Sequence, residues 1–223
     1  MKIKSINLLA IILLFTIFQS CKGEKKNETE ASDAKQITEA PAVAVSYIVD
    51  SASSIVEWTG KKPVGKHNGT VNISKGKIQT QDGKIQSGSF IIDMTSITVT
   101  DLEGDEKASL EGHLKGATDE SQDHFFNVSK FPSASFDLTG ISEKEGKTFI
   151  EGNLTIKGIK KNISFPAITT TEGDTMSLTT EVFTVNRTEW GVNYASKSVF
   201  TDIGDKFIND DIELKISLKA KKA

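Results

Sequence analysis

His113 to Phe136 reads H-L-K-G-A-T-D-E-S-Q-D-H-F-F-N-V-S-K-F-P-S-A-S-F. The stretch gathers four of the chain's twelve phenylalanines, Phe125, Phe126, Phe131 and Phe136, around Pro132. It opens at the end of a helix-like segment and closes in strand-like alternation. A Phe-Phe pair followed by a Phe-Pro turn and a strand suggests an aromatic plug that closes or lines a cavity. Composition alone is equally compatible with an ordinary core corner.

Outward from this stretch the dominant pattern has period two. Val56 and Trp58 share one strand face, as do Val71 and Ile73, and then Phe90, Ile92 and Met94. Further strands are predicted at Ser133–Leu138, Thr148–Ile156, Asn162–Thr169, Met176–Val185 and Ile212–Leu218, punctuated by glycines. Glu103–Lys115 is the clearest helix, with Leu110 and Leu114 one turn apart on a polar segment. Many short strands with one helical insertion predict an all-β fold, an antiparallel barrel or sandwich. A barrel of about eight strands has no exposed edge and is wide enough for one small ligand.

The N-terminus reads as a targeting signal. Lys2 and Lys4 precede an apolar run from Ile6 to Phe18, too short to span a bilayer comfortably. Ser20 then precedes Cys21, the chain's single cysteine. This spacing predicts a lipoprotein signal over 1–20 with acylation at Cys21, although Phe18 and Gln19 depart from the residues usual there. Removing that segment takes away two lysines and no acid, moving the net charge from −3 to −5. Such a balance argues against nucleic-acid binding. Residues 21–41 carry no aromatic residue and one isoleucine, which predicts a flexible tether. As a free coil it would hold the domain roughly 25 Å from its anchor. The folded domain is then 42–223.

Four ordered segments resemble the YceI-like family. They are W-T-G-K-K-P-V-G-K-H-N-G-T from Trp58, the His113–Phe136 stretch, G-N-L-T-I-K-G from Gly152, and N-R-T-E-W-G from Asn186. The resemblance covers roughly Val45 to Lys219. It implies a lipocalin-like antiparallel β-barrel that holds a long apolar chain: a polyisoprenoid, an isoprenoid quinone or a fatty amide. It also implies a periplasmic setting. Gly116 to Gln122 is inserted where the family usually runs its helix end almost directly into the Phe-Phe pair, and this polar segment is expected to be a mobile loop. Cys21 adds an expected anchor facing the periplasm or cell surface.

No catalytic constellation stands out. The chain has no G-x-S-x-G elbow and no phosphate loop. His67, His113 and His124, the only histidines, lack metal-ligand spacing, and His113 is expected to satisfy a hydrogen bond at its helix end. Arg187 is the only arginine. Its planar fork suits a phosphate or carboxylate head group. It equally suits a structural pair with Glu189 or Asp202. The candidate ligand-binding set is Trp58, Phe90, Phe125, Phe126, Phe131, Phe136, Phe183, Arg187 and Trp190. Three functions remain: an envelope protein binding an apolar lipid for storage, transport or stress protection; a quinone-presenting accessory to a membrane redox partner; or a structural surface lipoprotein with a filled barrel. No cofactor is expected beyond the bound lipid, and a homodimer is left open.

Overall fold

The computed structural model describes residues 28–223, so the signal segment and Cys21 lie outside the described residues. Eleven strands and one α-helix follow in order. They are β1 (Ser32–Asp33), β2 (Val45–Val49), β3 (Ile55–Lys61), β4 (Lys66–Gln81), β5 (Lys84–Val99), α1 (Gly104–Lys115), β6 (Ser133–Lys144), β7 (Lys147–Ile156), β8 (Ile159–Glu172), β9 (Thr175–Thr180), β10 (Phe183–Asn186) and β11 (Asp211–Lys222). All registered strand pairs are antiparallel. The sheet closes into a ring of eight positions, because two positions are each filled by two short strands laid end to end.

The long strands explain this. β4 pairs with β2 along its lower half and with β3 along its upper half. β11 likewise pairs with β2 and β9 below and with β3 and β10 above. Each interruption is stitched onto β11 by a hydroxyl. Ser54 Oγ donates to Lys219 O (3.2 Å) and accepts from Lys219 N (3.0 Å), while Thr180 Oγ1 accepts from Ile216 N (2.9 Å). The single strand predicted over Met176–Val185 is therefore two strands, parted at the step where β11 changes partner.

Inside, the barrel divides into a solid floor and a hollow upper half. Tyr47, Val49, Ile78, Leu138, Met176, Leu178, Leu218 and Ala220 fill the lower half as an apolar core. Above them a row of rings crosses the barrel from β6 to β10. Phe136 meets Phe165 at 5.5 Å between centroids, and Phe165 stacks on Phe183 at 4.5 Å and 12°. Phe136 crosses β7 at Gly152, where a Cβ would stand 2.1 Å from its Cζ.

α1 lies over the upper end, joined to β5 by Glu111 Oε1, which accepts from Val99 N at 2.9 Å. Gly116 ends the helix in the left-handed region at φ 70°. Its N–H reaches Gly112 O and His113 O. The inserted 116–122 segment then folds back as a hydrogen-bonded turn. Thr118 Oγ1 and Ser121 Oγ lie 2.8 Å apart, and Ser121 is buried. The segment is thus a compact turn against the helix end, with residues 117–120 exposed.

The segment expected as a free tether is also built into the domain from residue 28 onward. Thr29 is buried, β1 pairs with β8, and the chain then crosses the outside of β7 and β6. Asn153 grips this strap from β7. Its Oδ1 accepts from Lys35 N (3.0 Å) and its Nδ2 donates to Lys35 O (2.7 Å). Thr38 N and Oγ1 both donate to Leu138 O. Hydrogen bonds replace the apolar burial that the composition lacks, which is why polarity alone misled. Asn153→Ala should lower the urea unfolding midpoint by the equivalent of about 1–3 kcal/mol, since the strap's amide and carbonyl lose their partners.

Candidate functional site: a cavity in the upper barrel

The hollow half encloses a cavity of about 380 Å³. Its walls come from alternate, inward positions of every upper strand: Val56 and Trp58 on β3, Ile92 and Met94 on β5, Leu154 and Ile156 on β7, Ile163 and Phe165 on β8, and Ile212, Leu214 and Ile216 on β11. Leu110 and Leu114 of α1 close it from above. Apart from the indole nitrogens, its polar lining residues are Lys61, Lys62, His67, His113, Arg187 and Asn209, and all six belong to the upper end. A cavity of this size and lining is of the kind that takes a small apolar ligand by burial, with orientation set at one end.

Seven of the nine residues expected to line such a space do so: Trp58, Phe125, Phe126, Phe136, Phe183, Arg187 and Trp190. Trp58 Nε1 donates to Thr70 O at 3.4 Å, and its ring stands over Gly69. Trp190 is 1% exposed and donates to Leu154 O at 3.0 Å. Phe90 and Phe131 are not lining residues. Phe90 packs against Phe136 at 6.4 Å without reaching the cavity. Phe131 sits beside Gly158 under the Lys130 ammonium, 5.2 Å from the ring. Phe165 and the aliphatic liners were missed, because alternation marks an inward face without telling a filled interior from a hollow one.

At the upper end, aromatic rings and imidazoles form one cluster. His113 Nε2 and His124 Nδ1 lie 2.8 Å apart, one ring nitrogen donating to the other. His124 stacks on Tyr194 (4.2 Å), and His113 meets Phe125 edge-on (5.2 Å). Burial, and then the neighbouring His124, push the His113 pKa below its ordinary value. Its hydrogen-bond partner is this second histidine. Among the described residues, no group of three or more His, Cys, Asp or Glu is arranged to hold a metal ion.

Arg187 is 3% exposed and its donors are already engaged. Nε donates to Asn209 O (3.1 Å), one Nη to Val192 O and the other to Ile208 O (3.1 Å). Its acidic partner is Asp210 at 3.6 Å, not the Glu189 or Asp202 expected from sequence. Glu189 instead faces Lys161 at 3.9 Å. Asp210 Oδ1 is buried without a hydrogen bond, so the ion pair is its compensation. Burial presses the guanidinium pKa down, and Asp210 pulls it back up. This arrangement stitches the 187–210 segment over the cavity.

The comparisons fit this architecture. The YceI-like domain model matches residues 47–220. The chain belongs to the YceI-like family. A "UPF0312 protein" of Shewanella denitrificans is 28% identical over 106 residues, 47% of this chain and 50% of that protein. "Protein YceI" of Salmonella arizonae is 31% identical over 83 residues, 37% of this chain and 40% of that protein. The chain thus spans half or less of the length of the curated relatives it matches. Among solved structures, Burkholderia cenocepacia BcnA aligns with a TM-score of 0.60 at 22% identity, over 78% of this chain and 99% of that one. A polyisoprenoid binding domain from Saccharophagus degradans aligns at 0.54 and 10% identity, over 79% and 98%. At these identities the likeness is one of fold, and it confirms the lipocalin-like antiparallel β-barrel.

If Arg187 holds the fold, Arg187→Met should destabilise the ligand-free protein by about 3–5 kcal/mol, because three carbonyls and a buried carboxylate lose their partner. Thermal or urea unfolding measures this directly.

Proposed function

We propose that this YceI-like chain is a binding protein whose upper barrel holds one long apolar chain, isoprenoid or acyl. The observation that carries the reading is the division of the barrel: a filled lower half, and a cavity above it whose polar lining is confined to one end. A ligand that is apolar along its length and polar at its tip matches that distribution. Each buried methylene contributes about 0.8 kcal/mol before ordering costs, so one five-carbon isoprene unit offers about 4 kcal/mol. The Saccharophagus degradans domain with the same fold is described as polyisoprenoid binding, which supports the ligand class. The polar tip fits best beside Lys62 and the Asn209 side chain. Lys61 pairs with Glu213, His67 with Asp101 at 3.0 Å, and Arg187 with its carbonyls, so these three are already committed.

Native mass spectrometry of protein purified from its own cells should show a bound lipid mass that organic extraction removes. A redox-active quinone mass would favour the accessory reading, and no releasable mass would favour a filled structural barrel. Leu214→Trp places an indole in the cavity and should weaken binding of geranylgeraniol by about tenfold or more, the loss expected when several methylenes no longer fit. Unchanged affinity would place the ligand elsewhere.

The envelope setting forms part of the same proposal. Acylation at Cys21 would anchor the chain. Glu28 is the first described residue, and the seven residues from Cys21 to it reach at most about 25 Å when fully extended. Since the strap is docked from there, these seven residues alone would make up the tether between lipid and barrel. Cys21→Ser should release the protein from membranes and abolish fatty-acid labelling. Continued labelling would exclude this anchor.

A further inference from the structure

The geometry points to the seam between β8 and β10 as the portal through which the apolar ligand enters and leaves, with the N-terminal strap as its removable closure. This inference rests on the binding function proposed above.

Around most of the ring, registered strand pairing seals the wall. At one position it does not. β8 pairs with β9 only over Ala167–Glu172, and β10 is registered with β11 alone among the described strands. The upper part of β8 therefore meets the strap instead. Ser32 pairs with Asn162 and Asp33 with Lys161. Thr29 closes the remaining distance: its N–H donates to Thr184 O on β10 (2.9 Å) and its hydroxyl to Ser164 O on β8 (3.0 Å). One residue thus bridges the two sides of the seam.

Directly behind the strap lies the cavity. Ile163 and Phe165 on one side and Val185 and Phe183 on the other are all lining residues. The stacked Phe165–Phe183 pair spans the seam from within. Parting these two rings and lifting the strap would open the long side of the cavity.

The strap is also built to come away. Its grip on the barrel is polar: the Thr29, Lys35 and Thr38 hydrogen bonds, the short β1 ladder, and ion pairs of Lys35 with Glu151 (3.3 Å) and Asp33 with Lys161 (3.9 Å). Of its apolar side chains, Ala31 packs on the core while Ile37 is 51% exposed. Water can take over polar bonds of this kind when the strap lifts, so local opening is far easier than global unfolding. The upper end offers a poorer route for an apolar chain, since it is covered by α1 and the stitched 187–210 segment and is rimmed by charge. An acylated Cys21 would also bring the seam, through the strap, to the lipid surface.

The test locks the strap. In the full chain carrying Cys21→Ser, Asp33→Cys and Lys161→Cys introduce thiols at registered antiparallel partners whose native side-chain tips are 3.9 Å apart. The probe is cis-parinaric acid, followed by stopped-flow fluorescence. The oxidised form should take up and release it about tenfold more slowly, as expected for a blocked gate, with its equilibrium affinity essentially unchanged and dithiothreitol restoring the rate. Thr29→Pro removes both the N–H and the hydroxyl that bridge the seam, and should speed exchange by about threefold or more. Equal rates for oxidised and reduced protein, or an unchanged rate in Thr29→Pro should the disulfide fail to form, would overturn the portal. Failure of the wild type to bind any probe would instead overturn the binding function, and the portal with it.

Discussion

The ring of Phe136 lies across the bare backbone of Gly152, and the interior of the barrel is arranged around that contact. A Cβ at position 152 would stand 2.1–2.6 Å from three atoms of the ring. Only glycine lets a β6 side chain cross β7 to reach Phe165 on β8, and through it Phe183 on β10. The resulting shelf separates two environments. Below it, Met176, Ile78 and their neighbours pack as a closed core that supplies stability. Above it, equally apolar side chains enclose space. An eight-position barrel is barely wide enough for its own side chains or for one ligand. Here the shelf assigns each half one of those two outcomes.

The second constraint is closure. A barrel avoids sheet edges only if every strand finds a partner along its length. This chain meets that demand with long strands, β4 and β11, each of which serves two shorter ones. Ser54 and Thr180 supply side-chain hydrogen bonds where the partner changes. The step between β9 and β10 leaves the upper edge of β8 short of a strand. The N-terminal strap fills that gap, and Asn153 and Asn162, linked at 3.2 Å, hold the adjoining surface together beneath it.

How much of this was legible follows from what sequence patterns encode. Alternation reports a half-buried strand, so the strands, the helix and the antiparallel barrel were readable. The Phe-Phe pair and the Trp residues were readable as inward-facing because large rings seldom find another place. Phe131 deceived because the Pro132 turn points it outward, against Gly158 and Lys130. Phe165, Ile163 and Leu214 gave no signal beyond their period, which is the same above the shelf and below it. The strap was illegible from its own composition. Its trace lay instead in Asn153 and Asn162, amides at outward strand positions where a freely solvated face favours longer charged side chains.

Arg187 shows why the residue type alone did not settle its role. A guanidinium offers five donors in a fixed fork, and either a head group or a set of carbonyls can take them. The deciding fact is the segment that follows. Residues 187–210 leave β10, cover the open end and return to β11 without regular secondary structure beyond short helical turns. Such a segment carries backbone carbonyls that no ladder satisfies. Arg187 takes three of them, from Val192, Ile208 and Asn209, and Asp210 balances its charge. A lysine could not span three acceptors in different directions with a single rigid group. The one arginine in the chain therefore sits where irregular backbone must be held over a hollow interior.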